Sequence, residues 1–216
     1  ISASPSAPRI HISSEQKENP IAAPMFCMLL RKHLGGARLC EVVQPGFERV
    51  LRLVFDTVDE MGFPVRRSLI CEIMGKYSNI IFCGENDRIL GACRAVDFTT
   101  SQKRQVLPGM TYELPPAQDK LNPLEAEAAD IDALAAERSA TGELRADKFI
   151  TSNYLGISSL LAREIARRTA DGKYPTLGTA LSAVMTDIKD GRFEPTIVRD
   201  AGGMPVEYCF TSLSLY

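Results

Sequence analysis

The chain has 216 residues, with 25 Lys and Arg against 27 Asp and Glu, a formal charge of -2, 45% apolar residues and 24% charged residues. That balance belongs to a globular protein and excludes fibrous, collagen-like and globally disordered classes. No apolar run approaches the roughly 20 residues of a membrane-spanning helix, and the N-terminal stretch is polar and rich in Ser, Pro and Ala, so the expectation is a cytoplasmic protein with no membrane association. The first residue is Ile1, in a segment that reads as the continuation of something longer, and the chain is treated as a piece of a larger protein.

Residues 24–34 start at a proline, carry Met25, Met28, Leu29 and Leu30 on one side and stop at Gly35-Gly36, the signature of a helix with a basic end, Arg31-Lys32-His33. Five strand-like segments follow at 37–43, 49–57, 65–74, 79–83 and 88–96, the last two joined by Gly84-Glu85-Asn86-Asp87, a hairpin-turn composition. No crossover helix fits between them, which predicts an antiparallel sheet or sandwich. After Leu107-Pro108-Gly109 and Leu114-Pro115-Pro116 the composition turns helical over 121–140 and again, in three pieces, over 147–190. Two strands around Asp200-Ala201-Gly202-Gly203 predict a final hairpin. The fold class is therefore α+β, with a β-rich module over 1–119 and a helical module over 120–216.

The near-neutral total conceals local differences. Residues 31–104 hold 12 basic and 9 acidic side chains, a net of +3; residues 113–147 hold 3 and 9, a net of -6; residues 148–173 hold 5 and 2, a net of +3. Two mildly basic regions flank an acidic one, which suits either phosphate contact or a solvated surface. Six cysteines lie in apolar stretches without a Cys-x-x-Cys pair, and the expectation is buried free thiols in a reducing compartment. His11 and His33 are the only histidines, so no metal or other cofactor is expected. The phosphate-cradling, dinucleotide-binding and nucleophile-elbow glycine motifs are all missing from the sequence, which argues against an enzyme.

Two constellations stand out. Tyr154-Leu155-Gly156-Ile157-Ser158, between helical stretches, fits a helix-hairpin-helix, in which Gly156 and Ser158 present backbone N–H groups to a phosphate and Arg163, Arg167 and Arg168 lie behind. Ser158 stands where a second glycine is usual, and a hairpin used only for packing is the alternative. The second is distributed: Glu48-Arg49 at a strand entrance, where a solvated edge pair is the plain alternative, and Glu72-Ile73-Met74 before Gly75, which lets the backbone approach a partner closely.

Five ordered motifs, Pro24 to Leu34, Gln44 to Arg49, Glu72 to Ile80, Leu107 to Tyr112 with Pro115-Pro116, and the hairpin, together resemble the N-terminal NFACT domain of the bacterial RqcH family, related to eukaryotic NEMF and long labelled fibronectin-binding protein A. The resemblance implies a β-rich module similar to the N-terminal domain of formamidopyrimidine-DNA glycosylase followed by a helix-hairpin-helix module, with elements before Ile1 and a coiled-coil arm and C-terminal domain after Tyr216. It implies a factor of ribosome-associated quality control that binds the large ribosomal subunit and its rRNA with a stalled peptidyl-tRNA, recruits alanyl-tRNA and supports template-free alanine tailing. The family's Asp-Arg pair falls on Glu48 and Arg49, and its tRNA-reading strip on Glu72, Ile73 and Met74. Glu48 keeps the charge of the usual Asp with one more methylene. A cell-surface adhesin, from the old family label, and a DNA-repair glycosylase, from the implied fold, are the competing readings.

Overall fold

The computed structural model describes residues 1–15, 18–140, 142 and 145–216, which divide into two units, Ile1–Ala117 and Gln118–Tyr216. In the first, helix α1 (Met25–Leu34) precedes five strands, β1 (Arg38–Val43), β2 (Val50–Val58), β3 (Pro64–Glu72), β4 (Asn79–Cys83) and β5 (Ile89–Ala92). They form one sheet in sequence order with every neighbour antiparallel. Short connections leave no other option, because parallel pairing needs a crossover.

Period-two alternation assigns the faces. On one, Leu53, Leu69, Cys71 and Phe82 receive α1 through Phe26, Leu29, Leu30 and Leu34, whose spacing places all four on one helical stripe. The helix lies so close to β5 that a Cβ added at Gly91 would stand 2.5 Å from Leu29 Cδ2. Pro24 caps the helix, and the left-handed residue that ends it is Gly36 (φ 77°). On the opposite face Val50, Ile70, Ile81 and Cys83 form the main core with Ile89, Val106 and Tyr112.

Val106 and Tyr112 come from the irregular segment 93–117, which closes over this second face. Val96 and Val106 pair as an isolated bridge, and Ile89 exchanges backbone hydrogen bonds with Gly109 and Met110, covering the free edge of β5. The expected fifth strand over 88–96 is accordingly shorter, because residues beyond Ala92 leave the ladder to start that cover.

In the second unit α2 (Ala128–Ala140), α3 (Ala146–Asn153), α4 (Ser159–Ala170) and α5 (Leu177–Lys189) bury Ile131, Ile150, Ile165 and Leu181 respectively, and β6 (Thr196–Arg199) pairs with β7 (Pro205–Cys209). The helix expected from Leu121 starts only at Ala128. Pro123 removes a donor, and Leu121 instead bonds Asn153 and Leu155 through its backbone, bridging to Tyr154. No helix among the described residues is long and apolar enough to cross a membrane.

All six cysteines are free. Cys71 and Cys83 are buried as expected, but Cys40 and Cys93 are exposed. Cys40 is the extra residue of a bulge in the edge strand β1, between Leu39 and Glu41, where an apolar sequence does not guarantee a covered side chain.

Candidate nucleic-acid interface

The β1–β2 and β3–β4 connections emerge at the same end of the sheet, which is what an antiparallel meander dictates. Register then brings together segments 24 residues apart: Val50 pairs with Glu72, and the Ile73 N–H donates to the Arg49 carbonyl at 2.8 Å. Arg49 is exposed and Glu48 half-buried. The Gln44 side-chain amide donates to the Glu48 carbonyl at 2.8 Å, which fixes the turn backbone and leaves the Glu48 side chain free of that task. Ile73 and Met74 are half-buried, and Met74 packs its side chain against the main core.

Beyond Met74 the chain makes a single 3-10 turn, Gly75–Tyr77, made possible by the left-handed Gly75 (φ 57°). Ser78 is buried, and its Oγ accepts from the Met74 N–H at 2.8 Å. Asn79 is buried as well and holds Arg94 by two bonds, Nδ2 to the Arg94 carbonyl and Arg94 N–H to Oδ1. Arg94 in turn donates to the carbonyls of Lys76 and Ala3. Lys76 and Tyr77 are exposed, the ammonium 5.0 Å from the ring centroid. Arg49 and Lys76 are thus exposed cations at this end, whereas the Arg94 guanidinium is taken up by backbone carbonyls.

Glu72 is placed differently from the expectation of a base-reading carboxylate. It is 2% exposed, and both its oxygens are occupied: Arg104 donates at 2.6 and 3.2 Å in a fork, and the Tyr112 hydroxyl donates at 3.0 Å. Arg104 also lies over the Tyr112 ring at 5.0 Å. Burial first, and then the adjacent Glu72 charge, push the Tyr112 phenol far above its ordinary value, so it stays protonated and can donate. The cause lies in the fold. A strand end three residues before a Gly looks open locally, but Arg104 and Tyr112 of the segment 93–117 cover it from 32 and 40 residues downstream. Glu72 therefore holds that segment on the sheet, and the expected strip divides into a buried Glu72 and a half-buried Ile73 and Met74.

The turn 154–158 joins α3 to α4 with Gly156 left-handed (φ 70°). Ser158 is the N-cap of α4 and accepts the Leu161 N–H through its own side chain, a role that a glycine cannot fill. Gly156, Ser158 and Ser159 are exposed, and the first N–H groups of α4 face the turn. Arg163 and Arg167 are exposed on α4, Arg167 in an ion pair with Asp171 at 2.6 Å. Arg168, expected behind the hairpin with them, is instead 5% exposed. It bonds Glu164 at 2.7 Å and the Ser212 carbonyl at 2.6 Å. Glu164, itself fully buried, also accepts from the N–H groups of Ser214 and Leu215. This pair anchors the last residues of the chain and is closed to a ligand.

The sequence reasoning missed Arg104 and Tyr112 as determinants of the site. The Leu107-Pro108-Gly109-Met110-Thr111-Tyr112 motif was the available signal, since a Tyr in a largely apolar loop, turned by the left-handed Gly109 (φ 90°), needs a partner for its hydroxyl when the loop packs on a core. Among the described residues no group of three or more His, Cys, Asp or Glu side chains is placed to hold a metal ion.

Comparison with known proteins adds to this geometry. A curated relative from Bacillus subtilis, named Rqc2 homolog RqcH, is 39% identical over 198 residues, covering 91% of this chain and 34% of its own length. An archaeal Rqc2 homolog, aRqcH of Methanocaldococcus jannaschii, is 31% identical over 74% of this chain and 22% of its own. The chain thus spans about a third or less of these relatives. Among solved structures, the N-terminal part of the fibronectin/fibrinogen-binding protein from Streptococcus suis superposes with a TM-score of 0.79 at 27% identity, covering 99% of this chain and 73% of that one. The family described as NFACT N-terminal and middle domains matches residues 1–216, and the chain belongs to that family.

Proposed function

We propose that this chain is the tRNA- and ribosome-binding part of a ribosome-associated quality control factor. In this reading it binds the large subunit carrying a stalled peptidyl-tRNA and recruits alanyl-tRNA for template-free alanine tailing. Peptide-bond chemistry belongs to the ribosome, and the chain is not itself an enzyme. The observation that carries the reading is the meeting of exposed Arg49 with Ile73, Met74 and the Gly75–Tyr77 turn at one open end of the sheet, in a chain 39% identical to an Rqc2 homolog. Arg49 supplies a charge-assisted contact to phosphate or a base edge, Glu48 orients it or accepts from a base amino group, and Ile73 and Met74 offer apolar edges to unstacked bases. The turn at Gly156 and Ser158, read as a helix-hairpin-helix, adds sequence-independent phosphate contact through the start of α4, with Arg163 and Arg167 beside it.

Arg49→Ala in the full-length protein tests this reading. Sequencing of co-purified RNA should show tRNA enrichment in the wild type and a loss of it in the variant. The melting temperature should be unchanged, because the Arg49 side chain is exposed. Absence of tRNA enrichment in the wild type refutes the reading. Glu48→Asp, which restores the family's usual residue, should retain capture.

A second reading has one observation behind it, the fibronectin/fibrinogen-binding name of the Streptococcus suis structure. Saturable binding of purified fibronectin to the protein, with no tRNA enrichment, would favour an adhesin.

A further inference from the structure

We infer that Tyr77, with Lys76 beside it, is a stacking platform for one unpaired nucleobase of the bound RNA. The inference rests on the tRNA-binding reading and places base contact on a residue outside the strip expected from the sequence. Tyr77 is 72% exposed at the tip of its turn. A single exposed aromatic is ordinary, so exposure alone decides nothing. What sets this one apart is how firmly a turn that buries none of its own residues is held. Backbone bonds close it at both ends, Tyr77 N–H to the Met74 carbonyl and Ser78 N–H to the Gly75 carbonyl, each at 3.1 Å. Ser78 Oγ holds Met74, and Arg94, itself fixed by Asn79, grips the Lys76 carbonyl at 3.1 Å.

A rigid turn that presents an aromatic ring outward is suited to recognition, since little backbone freedom is lost on binding. Space is available beside it, because a Cβ built on Gly75 meets no atom within 4 Å. The chemistry around the ring selects the partner. Lys76 lies 5.0 Å from the centroid, and exposed Arg49 is bonded through its carbonyl to Ile73, the residue that leads into the turn. An aromatic ring with a lysine ammonium over one face and the other face open, on a turn that continues from the strand end bonded to exposed Arg49, is the combination that grips single-stranded nucleic acid, a base on the ring and phosphate on the cations. Stacking tolerates any base, so Tyr77 contributes affinity and register while selectivity lies elsewhere.

The test uses the full-length protein and tRNAs carrying 2-aminopurine at successive unpaired loop positions. Wild-type protein should change the emission strongly at one position. Tyr77→Phe should keep that signal, and Tyr77→Leu should abolish it and weaken binding by roughly five- to 150-fold, the range for loss of one base–aromatic stack. Tyr77→Leu that keeps both the signal and the affinity overturns the inference. So does a Tyr77→Leu variant that binds free tRNA normally but loses the ribosomal subunit, which would make Tyr77 a protein contact. Arg49→Ala run in parallel separates the two levels. If it weakens binding while Tyr77→Leu does not, only the stacking platform falls; if wild-type protein binds no tRNA, the underlying reading falls with it.

Discussion

Glu72→Ala separates a structural from a reading role. The substitution strips the counter-charge from Arg104, whose side chain is 12% exposed, and the acceptor from the Tyr112 hydroxyl, which is buried. Breaking one side of a buried ion pair costs about 3–5 kcal/mol, and an orphaned buried hydroxyl about 1–3 kcal/mol. The two are not additive, and Arg104 can turn part of its guanidinium to water, so a loss of about 3–5 kcal/mol is expected for the first unit. Urea unfolding followed by circular dichroism measures it. The double variant Glu72→Ala/Arg104→Ala should be less destabilised than the sum of the single variants, because neither partner is then left buried alone. At temperatures where the variant remains folded, the composition of the captured tRNA pool should match the wild type. A Glu72→Ala protein with an unchanged unfolding midpoint and a broadened tRNA pool would refute this reasoning and return Glu72 to the reading surface.

Other substitutions probe the frame and the second contact region. Gly91→Ala should destabilise by about 1–3 kcal/mol, because the new methyl meets Leu29 Cδ2 and either that side chain leaves its rotamer or α1 shifts off β5; unchanged thermal unfolding would mean the Leu29 side chain is not packed there. Arg163→Gln with Arg167→Gln should flatten the salt dependence of RNA binding by about two phosphate contacts, whereas an unchanged slope assigns the hairpin to packing or protein contact. Burial raises the Cys71 and Cys83 thiols from 9.0 to about 11 and about 12. The folded state therefore keeps protons that the unfolded state releases. Their contribution is complete below pH 9 and is lost as pH rises towards those values, at about 1.4 kcal/mol per pH unit for each thiol. Thiol labelling near pH 8 should accordingly reach Cys40 and Cys93 in the native protein and Cys71 and Cys83 only on unfolding.

Much of the fold was legible because its signals are local. Pro24 and Gly35-Gly36 bracket α1, a run of β-branched and other apolar residues marks β2, and Gly84 to Asp87 supplies the turn in which Asn86 (φ 52°) and Asp87 (φ 56°) are left-handed. Asp87 carries a further task that no local pattern announces, a forked ion pair with Arg52 on β2 that closes at 2.5 and 3.0 Å. What local patterns could not give is which polar side chains are consumed internally. Arg163, Arg167 and Arg168 are equivalent on propensity, yet the helical rotation that exposes the first two turns the third into the packed side of α4, where Glu164 one turn earlier waits for it.

The same limit governs Glu72. Strand alternation places it on the face of Val50 and Ile70, and that face is buried or open according to whether a distant loop closes over it. Arg104 and Tyr112 settle the matter from 32 and 40 residues away, through bonds that only the folded chain brings within reach. Charge thereby leaves the surface in matched pairs: Glu72 with Arg104, and Glu164 with Arg168. Arg49, by contrast, stays exposed at the open end of the sheet. A cation that the fold leaves in water at a rigid sheet end is available to a polyanion, whereas a carboxylate buried against its own arginine is not. The contrast between Arg49 and Glu72, two residues joined through adjacent rungs of one ladder, is therefore the sharpest physical guide for testing the RNA contact proposed for this unit.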